Sequence, residues 1–154
     1  MLDLAGDAWS DRAGGTSGAL WGSALASLGA ALTDDAAPTR HSVVAGVAAA
    51  TDAILEFGAT VGDKTMVDVL VPFSTALGSA VEAGGDLPTA WAAAAETAVE
   101  AAAATADLLP KMGRARPHAE KSLGTPDAGA TSLGLITRTV ARVLDEHASV
   151  HRAS

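Results

Sequence analysis

Apolar positions recur along this chain at the three- and four-residue spacing of helices, and no stretch alternates as a strand does. The clearest run is Met66, Val69, Leu70, Phe73, Leu77 and Val81, which fall on one helical face. Val44, Val47, Ile54 and Leu55 stripe a helix expected over Arg40 to Phe57. A last helix points Leu133, Ile136, Val140, Val143 and Leu144 inward, with Arg138, Arg142, Asp145 and Glu146 outward. Two more helices are expected at the start, from Leu2 to Arg12 and from near Thr16 to Leu32, and an alanine-rich one runs to about Leu109. The breaks between them are "GG" at Gly14-Gly15, "TDDAAPT", "GATVGDKT" and "AGGDLP". Asp63 is the expected N-cap of the fourth helix, and Asp86 with Pro88 opens the fifth. Pro72 should kink or break the fourth. Pro110 to Gly129 carries no helical pattern, and a loop of that length in a compact domain is functional or mobile. The expected class is all-α, with about six antiparallel helices joined end to end.

Composition changes the picture of the core. The chain has 154 residues, which suits one domain, and 49% of them are hydrophobic, with a mean hydropathy of +0.27. Only 3% are aromatic, so the core is built from Ala, Val and Leu. Small side chains let helices approach closely but bury less apolar area each, which makes a partner surface useful for stability. With no cysteines, disulfides and thiolate metal sites are excluded, and a reducing cytoplasm fits. No basic segment followed by an apolar run opens the chain, so no secretory signal is visible. Asp52, Glu56, Glu96 and Glu100 interrupt the alanine runs, and none reaches the ~20 apolar residues of a membrane span.

The formal charge of −8 argues against a generic nucleic-acid binder. The positive charges are nonetheless clustered: Lys111, Arg114, Arg116 and Lys121 lie in one short segment beside His118. Such a cluster is either a solvated loop or a local anion site on an acidic protein.

Three glycine-punctuated segments are the candidates for chemistry: "GGTSG" at 14–18, "GDKTM" at 62–66 and "GRARPHAEKSLGTPDAG" at 113–129. In the first, glycine lets backbone approach a ligand, and the helix start offers free N–H groups and the hydroxyls of Thr16 and Ser17 to a phosphate. The same residues also make an ordinary N-cap. His41, His118, His147 and His151 form no convincing metal set, and Asp34-Asp35 reads as loop charge. No G-x-S-x-G nucleophile elbow occurs.

Taken together and in this order, "GGTSGALWG", "GDKTMVDVLVP" and "GRARPHAEKSLGTPDAGATSLGLI" closely resemble the L-type nucleotide-binding domain of dihydroxyacetone kinases, the DhaL family, over nearly the whole chain. The resemblance implies an up-and-down barrel of antiparallel helices with nucleotide and magnesium at one end. It implies delivery of the γ-phosphoryl group of ATP to a ketose, dihydroxyacetone or a relative such as erythrulose, held on a separate K-type domain. In phosphotransferase-dependent members, ADP instead stays bound as a phosphorylated carrier. Carried over by position, Thr16 and Ser17 contact phosphates, Met66 packs against adenine and Arg114 pairs with phosphate oxygens through its planar fork. Asp127, Ala128 and Gly129 match the loop that covers the base, with Ala128 standing where the family usually has proline. Met66 also serves as plain core packing, and Asp127 as a helix N-cap.

The family's magnesium ligands are aspartates in a segment upstream of the glycine loop, and no segment here matches it; Asp7 and Asp11 have the wrong spacing and position. The expectation is therefore a partial domain, about six of eight helices, that binds nucleotide, is inactive alone and self-associates through an open side. Two other readings compete: a non-catalytic piece that only binds or supports a partner, and a fatty-acid kinase, against which "GDKTM" and "GRARPHAEKS" favour the ketose branch.

Overall fold

In the computed structural model, which describes residues 1–13, 15–33, 36–112 and 120–152, six α-helices and no strand occur among the described residues. They are α1 (Leu2–Ala13), α2 (Gly15–Leu32), α3 (Arg40–Leu55), α4 (Val67–Glu82), α5 (Leu87–Ala104) and α6 (Ala128–Arg152). The contacts divide the chain into two compact units, Met1–Ala59 and Thr60–Ser154.

In the first unit, small residues decide how closely helices pack. A Cβ on Gly6 would lie 2.7 Å from the Gly22 carbonyl oxygen, so α1 and α2 meet backbone to backbone and a larger residue would force them apart. Ser10 faces Gly18 as well as Gly22, which makes the pair antiparallel. Trp9 and Trp21 add a tilted ring contact at 6.2 Å on the same interface. Thr39 starts α3 with a reciprocal cap: its hydroxyl accepts from the Ser42 amide at 3.1 Å, and Ser42 Oγ accepts from the Thr39 amide at 2.9 Å.

In the second unit, α4 supplies the bulky side of the core. Met66, Val69, Leu70, Phe73, Leu77 and Val81 are all buried, as their spacing predicts, and Val67 is buried with them. Burying a side chain of this size stabilises by about 1.5–3 kcal/mol. α5 opposes them with Ala90, Ala94, Ala98 and Ala102, a narrow stripe that admits α4 on one side and α6 on the other. Phe73 and Trp91 meet edge to face at 5.0 Å, and Trp91 Nε1 donates to the Thr137 carbonyl at 2.9 Å. The contacts Trp91 to Thr137 and Ala102 to Gly134 run in opposite chain directions, so α5 and α6 are antiparallel.

Several expectations are corrected. Asp63 does not cap α4; Met66 occupies the N-cap position without a side-chain bond. α4 passes through Pro72 unbroken, because the buried residues on either side hold the helix although the proline brings no N–H to it. α5 stops at Ala104, followed by a 3-10 turn over Thr105–Asp107, where the Thr105 hydroxyl donates to the Ala102 carbonyl at 2.6 Å. Ile136 and Val143 are 45% and 47% exposed, because the face of α6 turned to α5 is that of Ala130, Leu133, Gly134 and Thr137. Asp86 caps α5 as expected, accepting from the Thr89 amide at 2.8 Å.

Candidate functional site

The turn from Thr60 to Met66 is organised by two carboxylates. Asp63 Oδ2 accepts from the amide and the hydroxyl of Thr60 at 2.8 and 3.0 Å. Asp68, in the first turn of α4, accepts from the amides of Gly62 and Thr65 at 2.5 and 2.7 Å. Charge-assisted bonds of this kind are short and roughly twice as strong as neutral ones. The Thr60 amide, with its hydroxyl and Lys111 adding to it, holds the Asp63 carboxyl below its ordinary range, against the opposing effect of burial.

The long loop is tied to this turn at both of its described ends. The Lys111 amide donates to the Asp63 carbonyl at 3.1 Å, and its ammonium lies 3.3 Å from Asp63 Oδ1. Downstream, Lys64 Nζ donates to the Ser122 carbonyl at 2.7 Å. The Gly124 amide reaches the Ala106 carbonyl at 2.9 Å, and the Asp127 amide reaches Thr105 Oγ1 at 2.8 Å.

Asp127 then starts α6, its Oδ1 accepting from the Ala130 amide at 2.8 Å. Ala128 is the first residue of that helix, a position that proline also suits, so alanine keeps the helix start without the ring. A Cβ on Gly129 would lie 3.1 Å from Asp127 Oδ1 and 3.6 Å from Met66 Cβ. Met66 is itself 8% exposed. The starts of α4 and α6 thus meet at Met66 and Gly129, with the first amides of α4 already bonded to Thr65 and Met66.

Of the residues singled out in the sequence, the structure brings Met66, Asp127 and Gly129 together, with Ala128 beside them. Thr16 and Ser17 sit exposed in the first turn of α2, in the first unit. Arg114, Arg116 and His118 lie outside the described residues. Sequence reasoning missed Lys64, Asp68 and Thr105. Lys64 and Asp68 stand in or beside a quoted segment and were legible as charges inside an otherwise buried run; Thr105 had no signal.

The described residues of this turn do not fit a divalent metal. Both oxygens of Asp63 and of Asp68 already accept bonds, and Asp127 Oδ1 caps α6. No cluster of three His, Asp or Glu among the described residues could hold a metal ion. An open groove of about 220 Å³ lies elsewhere, among Val99, Ala103, Pro126, Leu135 and Arg138, and none of the described site residues lines it. No helix among the described residues is long and apolar enough to cross a membrane.

Residues 1–142 match the DAK2 domain. L-erythrulose kinase of Pectobacterium atrosepticum is 56% identical over 146 residues, 94% of this chain and 25% of that protein. D-erythrulose kinase of Mycolicibacterium smegmatis is 55% identical over 142 residues, 92% of this chain and 24% of its own length. The ADP-binding subunit DhaL of the PEP-dependent dihydroxyacetone kinase of Escherichia coli is 38% identical over 85 residues, 55% of this chain and 40% of the subunit. The chain spans about a quarter of the length of the erythrulose kinases it matches.

Proposed function

We propose, from the premise that this chain belongs to the DAK2 domain family, that it is the nucleotide-binding part of a ketose kinase. In this reading the γ-phosphate of ATP passes to dihydroxyacetone or a related small ketose such as erythrulose, held on a separate K-type domain or subunit. The similarity to two erythrulose kinases favours the four-carbon ketose. The observation that carries the reading is the meeting of Met66 with Gly129 where α4 and α6 both begin. There a buried thioether can pack against a purine face, and the Asp127–Gly129 turn can close over it. The family resemblance assigns phosphate contacts to Thr16 and Ser17, whose hydroxyls suit an anion, and to Arg114, whose planar fork suits phosphate oxygens. ATP supplies the transferable phosphoryl group; this chain's residues bind and orient it. No step is assigned to magnesium here, because Asp63 and Asp68 are already engaged through both oxygens.

Titration calorimetry with ADP tests the reading. Binding is expected, with little dependence on magnesium. Arg114→Ala should weaken it by about 1.5–3 kcal/mol, the range for a hydrogen bond to a charged group. Equal affinity in both proteins would remove Arg114 from the site, and absence of binding would remove the nucleotide. Mixing the chain with a K-type partner, ATP and erythrulose then tests transfer; the chain alone, without a ketose-holding domain, is expected to transfer nothing.

A further inference from the structure

Lys64 carries two costs at one position. It is only 4% exposed, and its φ of 59° lies in the left-handed region that side chains other than glycine and asparagine rarely adopt. A buried ammonium is expensive unless it is bonded, and a turn that needed only the backbone shape would take glycine. What lysine adds is reach: its ammonium crosses to the Ser122 carbonyl, a residue far along the chain, at 2.7 Å.

The segment from Ser122 to Asp127 is held at three described points. Two of them, the Gly124 amide on Ala106 and the Asp127 amide on Thr105, tie it to the end of α5. The third, the Lys64 bond, ties it to the turn that leads into Met66. Met66 stands two residues after Lys64, and Gly129 stands two after Asp127. The same two stretches of chain therefore form the latch at one end and the Met66–Gly129 contact at the other.

We propose that Lys64 is a positioning residue for the nucleotide base: its bond to Ser122 sets the path of the Ser122–Gly129 segment against Met66. This rests on the nucleotide reading of Met66 and Asp127–Gly129. Lys64 does not touch the ligand. Without its ammonium the segment stays attached to α5, so the fold persists while the base pocket loosens.

The test compares Lys64→Met and Lys64→Arg with the wild type in the full chain, by two readouts. In Lys64→Met, amide hydrogen exchange at Thr125, whose amide donates to the same Ser122 carbonyl, should accelerate about tenfold, with the core amides of Val69 and Leu70 unchanged. ADP affinity should fall about tenfold or more, as misplacement of a binding group does, while UDP, which lacks the purine, loses little. Lys64→Arg, which keeps a long donor, should recover most of the ADP affinity. Unchanged exchange overturns the proposal, as does an equal loss for ADP and UDP. If Lys64→Met does not fold, Lys64→Gln replaces it; failure of both to fold overturns the proposal, since Lys64 then holds the whole unit. A wild type that binds neither nucleotide overturns the nucleotide reading instead and leaves the latch to be judged by exchange alone.

Discussion

Asp63 shows how much one side chain does when both of its oxygens are engaged. It fixes the turn through Thr60 and anchors the upstream end of the long loop through Lys111. Its carboxyl is held below the ordinary value of 3.8, so its stabilising contribution is present above that value and is lost as pH falls through the lowered folded pKa. Asp63→Asn should therefore be less stable than the wild type at neutral pH, with the gap closing on acidification below about 3.8. Urea unfolding midpoints of both proteins across an acid series check this; a gap that persists at the acid end would mean that Asp63 acts through shape and not charge. The sequence pointed to Asp63 but misread its job. A carboxylate just ahead of an apolar run looks like an N-cap, yet the bond it makes was decided by which amide lay within reach, and that was Thr60.

Among the elements, α6 is the one fixed most closely at its first turn, by Asp127. Asp127 was legible as a cap because it stands between a proline and an alanine-glycine helix start. The cap bond to the Ala130 amide predicts that Asp127→Ala costs about 0.5–2 kcal/mol in unfolding free energy, while Asp127→Asn, which keeps an accepting oxygen, costs little. Chemical denaturation of the two variants separates the cases; equal losses would mean that the charge and not the cap bond stabilises the helix start. The passage of α4 through Pro72 and the end of α5 short of Leu109 were less legible. A proline lowers helix propensity locally, but burial of Val69, Leu70, Phe73 and Leu77 outweighs it. At the end of α5 the apolar pattern continues through Leu108 and Leu109, and the Thr105 turn ends the helix anyway.

For the whole molecule, the exposed apolar side chains matter most. Leu4 and Trp9 on α1 are 74% and 50% exposed, and Leu135 and Val150 on α6 are 60% and 64% exposed. Large apolar side chains left in water on a chain of this size favour association. Sedimentation velocity over a range of concentrations should show a concentration-dependent increase in mass; a single monomeric species throughout would refute it. The acidic net charge of −8 opposes association at low ionic strength, so the effect should grow with salt.

The sequence by itself determined the helical class, five of the six helix starts to within a residue or two, the α4 face of the core and the family resemblance. All of these are local or periodic, and a period of three to four residues survives whatever the helix later packs against. Only the tertiary structure decided that α6 turns Thr137 and not Ile136 toward α5, that Met66 lies against Gly129 and that Lys64 reaches Ser122. Each of these joins residues far apart in the chain, so its geometry depends on how closely alanine and glycine let the helices approach. That distance is a property of packed surfaces, and no single stretch of sequence contains it.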